Sequence, residues 1–140
     1  MPVIDHAAVQ PTPLTERIRL IDVESCADER IEARAVVVVD PDNPIFGGHY
    51  PGLPIFPGVG LIEGVHRTVL GVASADEIVP VLDAVLTARF VRPVFPRDEI
   101  DARVLITREP LCWTVAAELR GPQGRVGKVN LRYRLPGDAS

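Results

Sequence analysis

The chain has little of what metal-binding, nucleic-acid-binding and membrane proteins need. Its 140 residues include two cysteines, Cys26 and Cys112, with no Cys-x-x-Cys pair and no His/Cys cluster. Without such spacing no metal site is predicted, and two isolated thiols are expected to be packed side chains. The net charge of -4 argues against broad contact with nucleic acid. No segment approaches the roughly 20 apolar residues that cross a bilayer, so no membrane contact is predicted.

Other absences narrow the class further. The sequence has no phosphate-binding glycine loop and no nucleophile elbow. Residues 1–13 hold three prolines and no apolar segment of the signal-peptide kind, so we expect a loose N-terminal arm and a cytoplasmic protein. The length fits one domain over residues 1–140.

The apolar pattern predicts six strands and one helix. The helix covers residues 58–73, where apolar residues recur at three- and four-residue steps around most of its circumference. Strands are expected at 18–23, 30–39, 79–90, 99–107, 113–120 and 126–134. The first two form a hairpin, and the last four follow the helix as an antiparallel meander. A helix that is apolar nearly all round needs a curved sheet wrapped about it.

Proline and glycine are concentrated in residues 47–60, directly before and at the start of the predicted helix. His49 lies in this loop, and Glu63 follows 14 positions later inside the helix. Each proline fixes its φ angle, so the loop holds one shape at little entropic cost. A rigid loop that presents an imidazole is suited to general acid–base catalysis.

This run closely resembles the active-site signature of the β-hydroxyacyl-ACP dehydratases of type II fatty-acid and polyketide synthesis. Eight residues fall on motif positions with unbroken spacing: Gly48, His49, Pro51, Pro54, Pro57, Gly58, Val59 and Glu63. Tyr50 replaces the usual phenylalanine. Residues 88–98 resemble the strand that follows in the family and ends near Pro-Gly-Asp.

The resemblance implies an α+β hot-dog fold, an antiparallel curved sheet wrapped around one long central helix. It also implies a lyase that dehydrates a carrier-bound 3-hydroxyacyl thioester to the trans-2-enoyl thioester. His49 is then the base at C2, and Glu63 of the partner subunit donates to the C3 hydroxyl or holds a water that does. Apolar neighbours favour the protonated form of Glu63. The Gly58 N–H stabilises the thioester oxygen at the helix N-terminus.

The same resemblance gives the expected ligands and partners. No cofactor is needed, because the substrate is carried on phosphopantetheine. Acyl carrier protein and a small-molecule acyl thioester are the partners, and the assembly is a homodimer or a hexamer. The expected substrate-binding residues are Tyr50, Pro57, Val59, Gly60, Arg67 and Phe90. Arg89, Arg92 and Arg97 are candidates for binding the carrier protein, although solvated surface charge explains them equally well.

Besides Tyr50, four positions depart from the family pattern. Gly60 and Gly64 replace leucine and alanine, which makes room for a bulkier acyl chain or a closer subunit approach. Arg67 replaces a common glutamine and puts a charge near the far end of the site. Arg97 replaces the turn glycine, so that turn must be built differently. His66 is expected at an exposed helix edge or a dimer contact.

Two other functions stay open from the sequence. A hot-dog acyl thioesterase would use a carboxylate to attack the carbonyl or to activate water, without this histidine loop. A non-catalytic dehydratase partner subunit would keep the fold without the chemistry. The presence of both His49 and Glu63 favours the dehydratase.

Overall fold

The computed structural model describes residues 17–26, 29–39 and 56–136. The predicted arm at 1–13 and the loop that carries His49 and Tyr50 lie outside these ranges. The described elements are β1 (Arg17–Cys26), β2 (Arg30–Val38), α1 (Gly58–Ser74), β3 (Val81–Phe90), β4 (Glu99–Arg108), β5 (Cys112–Gly121) and β6 (Gly124–Arg134).

The six strands form one antiparallel sheet in the order β1-β2-β4-β5-β6-β3. The predicted meander is therefore wrong for β3, which pairs with β6 at the edge and not with its neighbour β4. The link between β3 and β4 carries Pro93 and Pro96 and is too long for a tight hairpin. The link runs along one end of the sheet instead. Two backbone hydrogen bonds hold it there: Val91 N donates to Val126 O at 2.7 Å, and Phe56 N donates to Val94 O at 2.7 Å.

The core lies between α1 and the concave face of the sheet. Side chains alternate between buried and exposed along β2, β4, β5 and β6, as expected for strands with one covered face. α1 contacts β1, β2, β3 and β4. Gly64 permits its close approach to β2, since a Cβ atom there would lie 3.2 Å from Val37 Cγ2. This explains Gly64 by packing within one chain.

β3 differs from the other strands because none of its residues is fully buried, although Leu82 and Phe90 pack against the core. Val81, Val85 and Leu86 are 40%, 46% and 47% exposed. Two register shifts interrupt its pairing with β6, and no other described strand pairs with it. The strand therefore presents apolar side chains and one unpaired backbone edge.

Arg97 contradicts the expectation that the turn before β4 is built differently from a glycine turn. Its φ angle is 73°, the left-handed conformation that glycine adopts most easily. The turn is fixed on both sides: Phe95 N donates to Asp98 Oδ2 at 2.9 Å, and Arg97 N donates to Val39 O at 2.8 Å. The backbone shape is kept, and arginine occupies it under strain.

Candidate active site

α1 begins at the Gly/Pro motif without a side-chain cap. Pro57 is its N-cap residue with an extended backbone, φ -69° and ψ 149°, and Gly60 N donates to Pro57 O at 2.9 Å. A helix has no internal acceptors for its first N–H groups, so those of Gly58 and Val59 point out of the helix end. The helix dipole adds positive potential there. This end can stabilise a developing negative charge on an oxygen.

The structure brings Phe90, an expected substrate-binding residue, to this helix end. A Cβ atom placed on Gly58 would lie 2.6 Å from Phe90 Cε2, so the ring occupies the space that any larger residue at 58 would need. Pro57 and Gly60 are buried, whereas Val59 is 53% exposed. A side chain at position 58 would therefore have to displace the Phe90 ring.

Glu63 lies farther along α1 and is partly exposed, with 29% of its side chain accessible. Its Oε1 lies 3.4 Å from Nε of Arg67, one helical turn later, and the Arg67 side chain is only 3% exposed. The structure thus places Arg67 next to Glu63, where sequence reasoning had assigned it to the substrate. The surroundings of Glu63 were expected to be apolar, but they include the buried guanidinium of Arg67.

His66 is not at an exposed helix edge, which was one of the two places expected for it; the other, a dimer contact, stays a prediction. His66 is half-buried, with Nδ1 2.8 Å from the Tyr133 hydroxyl and the two rings stacked at 5.6 Å. Burial lowers the His66 pKa; the nearby Glu63 charge raises it, and Arg67 lowers it again. Burial and, secondly, Glu63 raise the Tyr133 pKa, so the phenol keeps its proton.

Tyr133 was missed from the sequence. The alternation of β6 places it on the same face as the buried Val129 and Leu131. A buried tyrosine hydroxyl needs a hydrogen-bond partner, which is the signal that could have indicated a polar contact from α1. The partner lies 67 residues away in sequence, so the pairing itself was not visible.

The three candidate carrier-binding arginines are all exposed but do not lie on one strand. Arg89 is in β3, while Arg92 and Arg97 lie in the link to β4. Arg92 lines a small cavity of about 80 Å³ together with Phe95, Asp98 and the β5–β6 turn. The three arginines are close in sequence to Phe90, whose ring lies against Gly58 at the start of α1.

Two observations concern metals and membranes. No group of three or more His, Cys, Asp and Glu side chains in the described ranges is arranged to hold a metal ion. Over the same ranges, no helix has the length and apolar character to cross a membrane.

The six-stranded antiparallel sheet and the helix α1 packed against it have the hot-dog architecture. The family model described as ApeI dehydratase, of the ApeI-like family, matches residues 24–119. Because this match covers more than half of the chain, the chain belongs to the ApeI-like dehydratase family.

A curated relative from Symbiobacterium thermophilum is the 3-hydroxyacyl-(acyl-carrier-protein) dehydratase FabZ. It is 42% identical over 74 residues, which are 50% of this chain and 52% of the relative. The chain thus spans about half the length of this relative.

Solved structures confirm the α+β hot-dog fold. A hypothetical thioesterase from Streptococcus pneumoniae TIGR4, solved with coenzyme A, superposes with a TM-score of 0.64 at 12% identity, covering 91% of both chains. The dehydratase heterocomplex ApeI:P from Xenorhabdus doucetiae gives a TM-score of 0.56 at 17% identity, covering 85% of this chain and 99% of that one. Identities this low show the fold alone.

Proposed function

We propose that this protein dehydrates a 3-hydroxyacyl thioester, presented by an acyl carrier protein, to the trans-2-enoyl thioester in fatty-acid or polyketide biosynthesis. The observation that carries the proposal is the position of the motif on α1. Gly58 is the first residue of the helix, and the partly exposed Glu63 follows on the same helix. Membership in the ApeI-like dehydratase family and the likeness to FabZ support the same reaction.

The proposed chemistry divides among three residues. His49 removes the C2 proton, since an imidazole titrates near neutral pH. The N–H of Gly58 holds the thioester oxygen while negative charge develops on it. The C3 hydroxyl leaves as water, and its proton comes either from Glu63, which contacts that hydroxyl or a water beside it, or from the His49 imidazolium that formed when the C2 proton was removed. No metal or organic cofactor takes part; phosphopantetheine belongs to the carrier.

The first experiment follows a 3-hydroxyacyl carrier protein by mass spectrometry with wild type, His49→Ala and Glu63→Gln. If the carrier-bound substrate loses one water with wild type and with neither variant, the result supports both the dehydration and the roles of His49 and Glu63. Release of the free carrier thiol would instead indicate a thioesterase. An intact substrate at every chain length would contradict the enzyme and favour the non-catalytic partner subunit.

We further propose that the active unit is a homodimer joined along β3, with His49 and Glu63 of each site supplied by different subunits. The uncovered apolar side chains and the open backbone edge of β3 support this assembly. A heterodimer is the competing arrangement, since the dehydratase ApeI:P is a heterocomplex.

Complementation tests the shared site. His49→Ala and Glu63→Gln, each inactive alone, are unfolded, mixed in equal amounts and refolded together. Half of the dimers are then mixed, and each mixed dimer has one intact site, so about a quarter of wild-type activity is expected. A mixture that stays inactive while wild type recovers would place both residues of a site in one subunit.

A further inference from the structure

Arg67 is a buried charge in an otherwise apolar helix face. Among the described residues, Arg67 and Thr68 are the two polar or charged residues that are buried, at 2% and 0% exposure. Thr68 is satisfied within its own helix, because Oγ1 donates to Gly64 O at 2.9 Å. Arg67 instead extends its guanidinium to the Glu63 carboxylate. The two residues therefore need different explanations.

Stability does not explain a buried arginine at this point. Desolvating a guanidinium is unfavourable, and a well-packed apolar residue is often as stable or more stable. The carboxylate partner is 29% exposed, so one end of the pair is open to a ligand while the other is enclosed. An ion pair arranged in this way holds a reactive carboxylate in one orientation.

Among the described residues, the titratable groups next to Glu63 include one cation, Arg67. His66, with its lowered pKa, is neutral near pH 7, and Tyr133, with its raised pKa, keeps its proton. Tyr133 faces the cluster from β6, whereas β1, β2 and β4 present apolar side chains from their buried faces. Arg67 is thus the charge that acts on Glu63 from within the described part of the helix and sheet.

We propose that Arg67 is a positioning residue that holds the Glu63 carboxyl group in one orientation toward the leaving hydroxyl or its water. This inference rests on the proposed dehydratase function. The sequence-based expectation of a protonated Glu63 took account of the apolar neighbours and not of this arginine. The positive charge matters more than the exact donor, so lysine should substitute in part.

The test compares wild type with Arg67→Gln, Arg67→Lys and the control Thr68→Val, which changes the adjacent buried polar residue. Arg67→Gln should lower kcat about tenfold or more with little change in KM. It should also move the acid limb of the kcat–pH profile to higher pH, because a carboxylate without its cation protonates more readily. Arg67→Lys should recover part of both effects, and Thr68→Val should show neither.

A second readout is independent of turnover. NMR of the His66 ring gives its titration midpoint, which should rise in Arg67→Gln and fall in Glu63→Gln, as the signs of the two charges require. Either of two results in Arg67→Gln would overturn the inference without affecting the proposed dehydratase function. One is an unchanged His66 titration midpoint, and the other is full kcat with an unchanged acid limb of the kcat–pH profile. If wild type were inactive but the His66 midpoint still moved in the Arg67 and Glu63 variants, the proposed function would be overturned, together with the reaction step given to Glu63. The ion pair between Arg67 and Glu63 would then be the part that remains.

Discussion

Arg97 shows how a single residue can occupy a conformation made for another. At φ 73° an arginine side chain crowds its own backbone, which costs about 1–2 kcal/mol relative to glycine. Glycine is more flexible in the unfolded chain, which offsets part of this gain. We expect Arg97→Gly to raise the free energy of unfolding by about 0.5–1 kcal/mol, measured by urea denaturation at fixed protein concentration.

Arg97→Ala is the matched control for this prediction. Alanine keeps the backbone strain and removes only the exposed guanidinium, so its stability should remain close to that of wild type. Equal stability of the glycine and alanine variants would show that the left-handed turn is not strained.

His66 links the acid stability of the protein to one buried ring. Its pKa in the folded chain lies below the ordinary histidine value of 6.5, so the unfolded chain binds its proton more readily. Stability supplied by the neutral ring is therefore present above about pH 6.5 and is lost as the pH falls through and below that value. We expect wild type to lose unfolding free energy more steeply between about pH 6.5 and 5 than His66→Gln does.

Glutamine is chosen because its carbonyl can still accept from the Tyr133 hydroxyl. Chemical denaturation at a series of pH values measures the difference, and the other two histidines of the chain are unchanged in both proteins. Parallel stability curves for the two proteins would show that His66 does not resist protonation in the folded state.

At the level of elements, sequence periodicity predicted the helix and all six strands to within a few residues. α1 was expected at 58–73 and spans Gly58–Ser74; β4 was expected at 99–107 and spans Glu99–Arg108. The local periodicity of a segment indicates which of its residues are buried, but not which other element they pack against or which strand lies beside it. The position of β3 beside β6 depends on a long connection and on contacts far apart in sequence, so it was not predicted.

Some features of the candidate site are likewise visible in the sequence, and others depend on the tertiary fold. The Glu63–Arg67 spacing of one helical turn is visible in the sequence, and an ion pair follows from it directly. The burial of Arg67 is not visible, because it depends on the sheet that closes over α1. The His66–Tyr133 contact joins a helix to the end of β6, and only the tertiary fold brings them together.

The junction of β3 and β6 is the element contact most sensitive to side-chain size. A Cβ atom on Gly127 would overlap the Arg89 carbonyl oxygen and lie 2.8 Å from Phe90 Cδ1. The backbone cannot yield without breaking the ladder, so Gly127→Ala should cost about 2 kcal/mol or more of unfolding free energy. Loss of dehydratase activity should accompany it, because Phe90 also packs on Gly58.

Gly121→Ala is the control for this junction, again by urea denaturation. Its Cβ atom would meet side-chain ends, Val126 Cγ2 at 3.2 Å and Ile100 Cδ1 at 3.3 Å, which can shift slightly. The expected loss is below about 1 kcal/mol. If both alanine variants lost the same stability, the backbone contact at Gly127 would not be limiting.

At the scale of the whole molecule, the two edges of the sheet provide an internal comparison. β1 and β3 are both edge strands, and each has an exposed valine: Val23 is 41% exposed and Val85 is 46% exposed. β3 has no fully buried residue and carries three exposed apolar side chains, those of Val81, Val85 and Leu86, so the proposed dimer should form there. Val85→Lys buries an unpaired charge in that interface and should weaken dimerisation by roughly 100-fold or more.

Val23→Lys places the same charge at a similarly exposed site on the opposite edge and should leave the dimer intact. Sedimentation equilibrium of both variants and of wild type measures the association, and carrier-protein dehydration measured on the same samples reports the site. Because each proposed site takes His49 and Glu63 from different subunits, activity of Val85→Lys should fall in proportion to its dimer fraction and recover at high protein concentration. A monomeric Val85→Lys with full activity would contradict the shared site, and a dimer broken by Val23→Lys alone would move the interface to β1.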